Sequence, residues 1–319
     1  MNVLITGGFG YLGGRIAVAL AQTQQVYLGS RRVRPAPDWL PQAQTVAMDL
    51  RDPQSLATAL RGMNAVVHLA AMNEHECVAD PHQAVVVNTL GTLQVLEAAI
   101  AAGVERFIYF STAHVYGSPL VGDITEATLP QPNHPYAITH RAAEDFVLAA
   151  HRQQRITGIV VRLSNGFGVP THPHVNRWTL LVNDLCRQVV ATRQLRLKSS
   201  GLQQRDFIPL ADVARMVEHL LQLPSQDCQD GLFNVGSGRS LTILAMVQRI
   251  AAVCEQELGF TPIIDRPTGS TDSAPPQLDL HYHCQKIEAT GFHLTGNTDH
   301  EIAQTLALCR DSGEPSPTP

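Results

Sequence analysis

Asn2-Val3-Leu4-Ile5-Thr6-Gly7-Gly8-Phe9-Gly10-Tyr11-Leu12-Gly13-Gly14 opens the chain with an apolar run, a glycine cluster and the start of an apolar-faced segment. The run Val3-Leu4-Ile5 predicts a buried strand, and Arg15-Ile16-Ala17-Val18-Ala19-Leu20-Ala21 continues as a helix with one apolar face. Strand, Gly-rich turn and helix form the first half of a nucleotide-binding βαβ unit. Gly8, Gly10 and Gly13 fit G-x-G-x-x-G, and Gly7, Gly10 and Gly13 fit G-x-x-G-x-x-G. In either register one glycine permits a tight turn, one lets backbone approach a pyrophosphate, and one lets helix pack on strand. The helix start, at Tyr11 and Leu12, offers free N–H groups and a partial positive charge to phosphates.

Working outward, the 319 residues suit one large α/β domain, or a core with a smaller lobe. With 44% hydrophobic and 16% charged residues, a sizeable core can form. A net charge of −5 carries no electrostatic footprint for nucleic acid. No apolar run approaches a membrane span, and the chain enters a strand at once, which predicts a cytoplasmic protein without a signal peptide. The six cysteines are scattered without a C-x-x-C pair and read as reduced thiols. The pairs His172/His174 and His281/His283 lack a carboxylate or Cys partner at ligand spacing, so no metal is expected.

A second strand, Gln25-Val26-Tyr27-Leu28, runs into Gly29-Ser30-Arg31-Arg32. An NAD site usually places Asp or Glu there, about 20 residues past the glycines, on the ribose 2′-OH. Ser30, Arg31 and Arg32 suit a 2′-phosphate instead, favouring NADP with NAD still possible; a solvated basic turn is the plainer reading. Thr45-Val46-Ala47-Met48 is a third strand, followed by Asp49, whose carboxylate can hydrogen-bond an adenine amino group, and by Leu50. Asp52 is expected to cap a helix from Pro53 to Leu60. The strand Ala65–Ala71 ends in Leu69, Ala70 and Ala71, against which a cofactor can lie. A long helical pattern spans about His82–Ala102, and Arg106–Ser111 is a fifth strand. This alternation predicts a doubly wound parallel sheet. Thr112 lies at that strand's end. Tyr136 and His140 are four apart on the next helix and share a face. A sixth strand, Gly158–Leu163, precedes a change of composition. The expected division is a dinucleotide-binding domain over 1–165 with later segments returning to it, a mainly substrate-binding lobe over 166–312, and a disordered tail over 313–319. The lobe is expected to carry a helix from about Trp178 to Ala191.

Together these segments resemble the extended short-chain dehydrogenase/reductase family, of the nucleotide-sugar epimerase/dehydratase type. The matching pieces are Thr6–Gly13, His68–Ala71, Asn88-Thr89-Leu90-Gly91-Thr92, Ser111–Gly117, Arg162-Leu163-Ser164-Asn165, Arg205-Asp206-Phe207 and Phe233–Gly238. The resemblance implies a Rossmann α/β domain holding NAD(P), a smaller α/β C-terminal lobe holding a nucleotide sugar, and a homodimer paired through the helices at about 82–102 and 136–153. It implies that Asn88 belongs to the cofactor site. It implies hydride transfer assisted by Thr112, which would hydrogen-bond the reacting oxygen, and by Tyr136 as acid/base. The family's Lys, which binds the nicotinamide ribose and lowers the Tyr pKa, is replaced by His140. An imidazole can bond ribose hydroxyls but supplies no fixed charge. Arg141 is no substitute, pointing about 140° away from Tyr136 on the helix. Asn165 and Arg205 match substrate contacts, and Asn176 and Arg177 sit where the substrate lobe begins. A second Tyr-x-x-x-Lys, Tyr282 and Lys286, follows no Ser/Thr-bearing strand and reads as a chance spacing.

After the catalytic Thr the family's dehydratases carry Asp-Glu, and its decarboxylases a Glu in the second place. This chain has Ala113 and His114. That leaves an epimerase or a ketoreductase, with His114 as an alternative acid/base or a plain pocket residue. The rival expectation is a dinucleotide-binding protein with weak or no turnover because the motif Lys is His140.

Overall fold

A computed structural model of the chain describes residues 1–175, 177–267 and 279–312. Asn176, residues 268–278 and the expected tail 313–319 lie outside the described residues. Seven strands form the main sheet: β1 Asn2–Thr6, β2 Gln25–Ser30, β3 Gln44–Ala47, β4 Ala65–His68, β5 Arg106–Thr112, β6 Thr157–Leu163 and β7 Leu232–Val235. Their spatial order is β7-β6-β5-β4-β1-β2-β3, and all pairs are parallel. The order reverses beside β1, so the carboxyl ends of β1 and β4 open a crevice at the topological switch point.

Both faces of the sheet are buried, which explains the unbroken apolar runs. Val3 and Ile5 face one layer, with Ile16 and Leu20 of helix α1 (Tyr11–Leu20). Leu4 faces the other, with Leu56 of α2 (Pro53–Ala59) and Val95, Leu96 and Ala99 of α4 (Pro81–Ala101). Burying each such side chain contributes about 1.5–3 kcal/mol relative to leaving it exposed. Asp52 caps α2 as expected, its carboxylate accepting from the Gln54 N–H at 3.0 Å.

Other expectations are corrected. The strand through Ala71 ends at His68, because the Leu69 and Ala70 N–H groups turn to the Thr6 hydroxyl at 3.0 and 3.1 Å. A short helix, α3 (Glu74–Ala79), precedes α4, set by a capping box between Asn73 and Glu76. The long helix contains an i→i+5 stretch over Val85–Leu90. By length and composition it could cross a membrane, unlike any run anticipated from the sequence. In the fold its inner face covers the sheet. The helix expected from Trp178 starts at Leu181, as α6 (Leu181–Thr192), because the Trp178 indole bonds back to the Pro173 carbonyl at 2.9 Å.

The next helix, α5 (Pro135–Arg152), lies beside α4. The second lobe packs α6, α8 (Ile243–Leu258) and α9 (Thr298–Ser312) around Val182, Leu185, Met246, Ile250, Ile302 and Leu306. Between them in sequence, α7 (Leu210–Gln222) returns to α1 and β7 returns to the sheet edge. Arg15 of α1 and buried Glu301 of α9 join the lobes by a 2.7 Å ion pair.

Candidate functional site

A cleft of about 1350 Å³ runs along the carboxyl edge of the sheet and under the second lobe. Its floor is the glycine turn. Gly7 has φ +69°, and a Cβ there would lie 3.2 Å from the Ala70 nitrogen. A Cβ at Gly13 would lie 2.2 Å from the Gly7 carbonyl oxygen, so α1 can start over the turn only without a side chain there. Gly10 is the N-cap of α1 and lines the cleft. Among the described residues no side chain caps that helix, which leaves its first N–H groups open to an anion. A methyl on Gly10 would meet only the Gly7 oxygen, at 3.0 Å. This cradle has the form and charge a dinucleotide pyrophosphate requires. Leu12 also lines it. The Tyr11 ring is buried, and its hydroxyl donates to the Gly168 carbonyl at 2.7 Å, tying α1 to the second lobe. Burial pushes that phenol well above its ordinary pKa.

The wall formed by Leu69, Ala70 and Ala71 is held from behind. The Thr92 hydroxyl donates to the Asn88 carbonyl at 2.6 Å, so it accepts from His68 Nε2 at 3.0 Å. The Nδ1 of His68 is then free to accept from the Thr6 hydroxyl at 2.8 Å. Burial lowers His68 to about 3, so the ring stays neutral. Asn88, expected at the cofactor, is buried away from the cleft. Its oxygen accepts from the Met72 N–H at 2.7 Å and its amide donates to Thr139 at 3.1 Å. The wider turn of the i→i+5 stretch carries it, and it steadies the loop after Ala71.

Ser30, Arg31 and Arg32 line one end of the cleft, together with Arg34 and Arg51. Asp49 and Leu50 line the same end. The Asp49 carboxylate is already held by the Arg51 guanidinium at 3.1 and 3.2 Å, which keeps it below the usual carboxylate range. The spacing of two between Asp49 and Arg51 was the available signal.

At the other end Thr112, His114, Ser118 and His134 form the wall. The Thr112 hydroxyl accepts from the His114 N–H at 3.2 Å. Tyr136 and His140 are brought together, but neither lines the cleft. The His134 ring stacks on Tyr136 at 6.1 Å, nearly parallel, and the His140 ring meets it edge-on at 4.4 Å. Among the described residues the Tyr136 hydroxyl has no hydrogen-bond partner. Burial raises its pKa, Glu74 adds to the rise and Arg177 opposes it, so the phenol remains protonated at neutral pH. His140 is buried, and one ring nitrogen meets the Tyr109 hydroxyl at 2.7 Å. Burial lowers it to about 4, and its Nε2 has no hydrogen-bond partner among the described residues. The position implied to touch the ribose therefore carries a neutral ring beneath Tyr136. Arg141 turns away to Glu144 and Asp145 at 3.0 and 2.8 Å. Glu144 is wholly buried and also holds Arg162 at 2.6 Å and the Ser111 hydroxyl at 2.5 Å.

Asn165, just past the sheet, and Arg177 and Arg205 of the second lobe reach the cleft. The Asn165 amide donates to the Asp206 carbonyl at 2.8 Å. Neither guanidinium forms a salt bridge among the described residues, which leaves two cations for an anionic ligand. Tyr282 and Lys286 are separate from all this. The Tyr282 hydroxyl donates to the Arg162 carbonyl at 2.7 Å, and Lys286 pairs with Asp230.

A model of the NAD dependent epimerase/dehydratase family matches residues 3–236. The chain is similar to the dTDP-D-glucose 4,6-dehydratase of Mus musculus, 25% identical over 269 residues that cover 80% of this chain and 73% of that one. It is 27% identical to the Homo sapiens protein of the same name over 71% of its own length, and spans 62% of that relative. Its fold matches the crystal structure of UDP-glucose 4-epimerase with UDP-glucose from Thermotoga maritima, with a TM-score of 0.81, 22% identity, and coverage of 98% and 100% of the two chains.

Proposed function

Because this chain belongs to the NAD-dependent epimerase/dehydratase family, we propose that it is an epimerase or ketoreductase acting on a nucleotide sugar, with NADP preferred over NAD. One observation carries the reading. A single cleft joins an anion-binding glycine turn, an arginine cluster, Thr112 and two second-lobe arginines that form no salt bridge among the described residues. A dinucleotide fits from Arg31 and Arg32 along the turn of Gly7 and Gly10, past Leu69–Ala71, to Thr112. When bound, its nicotinamide supplies the hydride chemistry. Thr112 offers its hydroxyl to the reacting oxygen. Tyr136 is kept as phenol and lies outside the lining of the cleft. Asn165, Arg177 and Arg205 face the sugar nucleotide, the two guanidiniums suiting its diphosphate. Arg31, Arg32, Arg34 and Arg51 suit a 2′-phosphate where a carboxylate would repel it. A second copy of the chain covers the outer faces of α4 and α5, where Val85, Leu90, Ile138 and Phe146 are exposed.

The second reading, a dinucleotide-binding protein with little turnover, is favoured by one fact: Tyr136 lacks a cationic neighbour at position 140. One experiment separates the readings. Purified protein is given NADP+ or NAD+ with UDP-glucose, dTDP-glucose and related nucleotide sugars, and nicotinamide absorbance and sugar products are followed. An epimerase yields an epimer without net cofactor change, whereas a ketoreductase consumes reduced cofactor with its keto sugar. Dinucleotide binding without either result supports the second reading, and failure to bind either dinucleotide removes both.

A further inference from the structure

The cleft contains an acid–base pair that neither motif residue belongs to. His114 sits in the short turn Ala113–Tyr116 directly after Thr112, anchored by buried Ala113 and Val115. Its Nε2 lies 3.9 Å from the Oε1 of Glu74, the first residue of α3, across the cleft wall. Its Nδ1 is buried and has no hydrogen-bond partner among the described residues. The nitrogen open to a ligand is therefore the one that faces the carboxylate. His134 meets the ring edge-on at 5.9 Å from the start of α5. Arg205 approaches from the strand Gln204–Pro209.

We propose that His114 is the base of the oxidative half-reaction and that Glu74 is its positioning residue. This rests on the function proposed above. As a sugar alcohol is oxidised, its O–H and carbinol C–H bonds break and a C=O bond forms. The hydride leaves for oxidised nicotinamide, and the proton goes to His114 Nε2. The imidazolium is then held by the Glu74 carboxylate, and the proton returns to oxygen when hydride returns to carbon. Tyr136 is poorly placed for this role: it does not line the cleft, and burial and Glu74 oppose its phenolate while Arg177 favours it. His114 starts unprotonated, as a base must. Burial, His134 and Arg205 hold it below its ordinary value, and Glu74 opposes them.

The test uses the full-length protein with oxidised cofactor and a nucleotide sugar that the wild type oxidises, following nicotinamide reduction against pH. His114→Gln is expected to lower the plateau rate about 100-fold with dinucleotide affinity unchanged. Glu74→Gln removes the charge that favours the imidazolium, so the acid limb moves to lower pH, and the titration of 13C-labelled His114 followed by NMR moves the same way. Tyr136→Phe leaves the position of that limb unchanged. Wild-type rate in His114→Gln, or an unmoved limb in Glu74→Gln, overturns the base assignment alone. Should His114→Gln misfold, Glu74→Gln at its half-exposed site decides by the limb. A wild type inert to every nucleotide sugar overturns the proposed function and the role of His114 with it.

Discussion

Two glycines of one motif should fail in different ways. A methyl group placed on Gly13 would lie 2.2 Å from the Gly7 oxygen, 2.8 Å from the Gly8 Cα and 2.9 Å from the Gly7 carbonyl carbon. All three are backbone atoms of the turn itself, so no side chain can swing aside. Relief requires α1 to lift off β1, opening the contacts of Ile16 and Leu20 with Val3 and Ile5. Overpacking of this kind costs about 1–3 kcal/mol, and backbone on both sides puts Gly13→Ala near the upper end. Against a total of about 5–15 kcal/mol, that loss is visible in any melt. A methyl on Gly10 meets one atom at 3.0 Å, and the backbone there, φ −87°, suits any residue. Gly10→Ala should therefore cost less than about 1 kcal/mol of stability. It puts its methyl where the pyrophosphate must approach, and dinucleotide affinity should fall at least tenfold. Urea titration followed by circular dichroism measures the first quantity, and calorimetric titration with NADP+ the second. Gly13→Ala as stable as wild type, or Gly10→Ala binding NADP+ at full strength, refutes the reasoning.

Three further outcomes are expected. Changing Arg31 and Arg32 together to Ala should weaken NADP+ binding about 10- to 100-fold while leaving NAD+ nearly unchanged, since charge-assisted hydrogen bonds contribute about 1.5–3 kcal/mol; equal losses for both cofactors in calorimetry would contradict the 2′-phosphate assignment. Glu144→Ala strands Arg162, 1% exposed, without its carboxylate, and should lower the unfolding free energy by about 3–5 kcal/mol in urea titrations. Acid should destabilise the fold through His140: its folded value of about 4 lies below the unfolded 6.5, so the unfolded chain takes the proton first, and about 3 kcal/mol is lost as pH falls from 6.5 to 4. His140→Gln should make that part of the stability–pH curve shallower, with buried His68 supplying the remaining slope, and an unchanged slope would show that the ring is not held neutral.

The strand–turn–helix at the N-terminus was legible because its causes are local. Apolar period, glycine spacing and helix start all lie within Asn2–Gly14, and the turn of Gly7, Gly10 and Gly13 forms as they imply. The Asp52 cap is equally local. The parallel sheet was legible because alternating strands and helices allow few other arrangements. What the sequence could not contain is where side chains meet across the chain. Asn88 looked like a cofactor residue, and only packing shows it bonded to Met72 and Thr139. His140 occupies a motif position, and only burial beside Tyr109 makes its ring neutral. Glu144 was passed over in sequence, and it becomes the buried partner of Arg162 only through the contact of α5 with the sheet. Glu74 lies far from His114 in the chain, yet the loops after β4 and β5 end on the same sheet edge and bring them within 3.9 Å. Propensity and spacing act over a few residues and determine the elements. Charge, desolvation and proton placement depend on neighbours that only the folded chain assembles, and they decide the chemistry of this site.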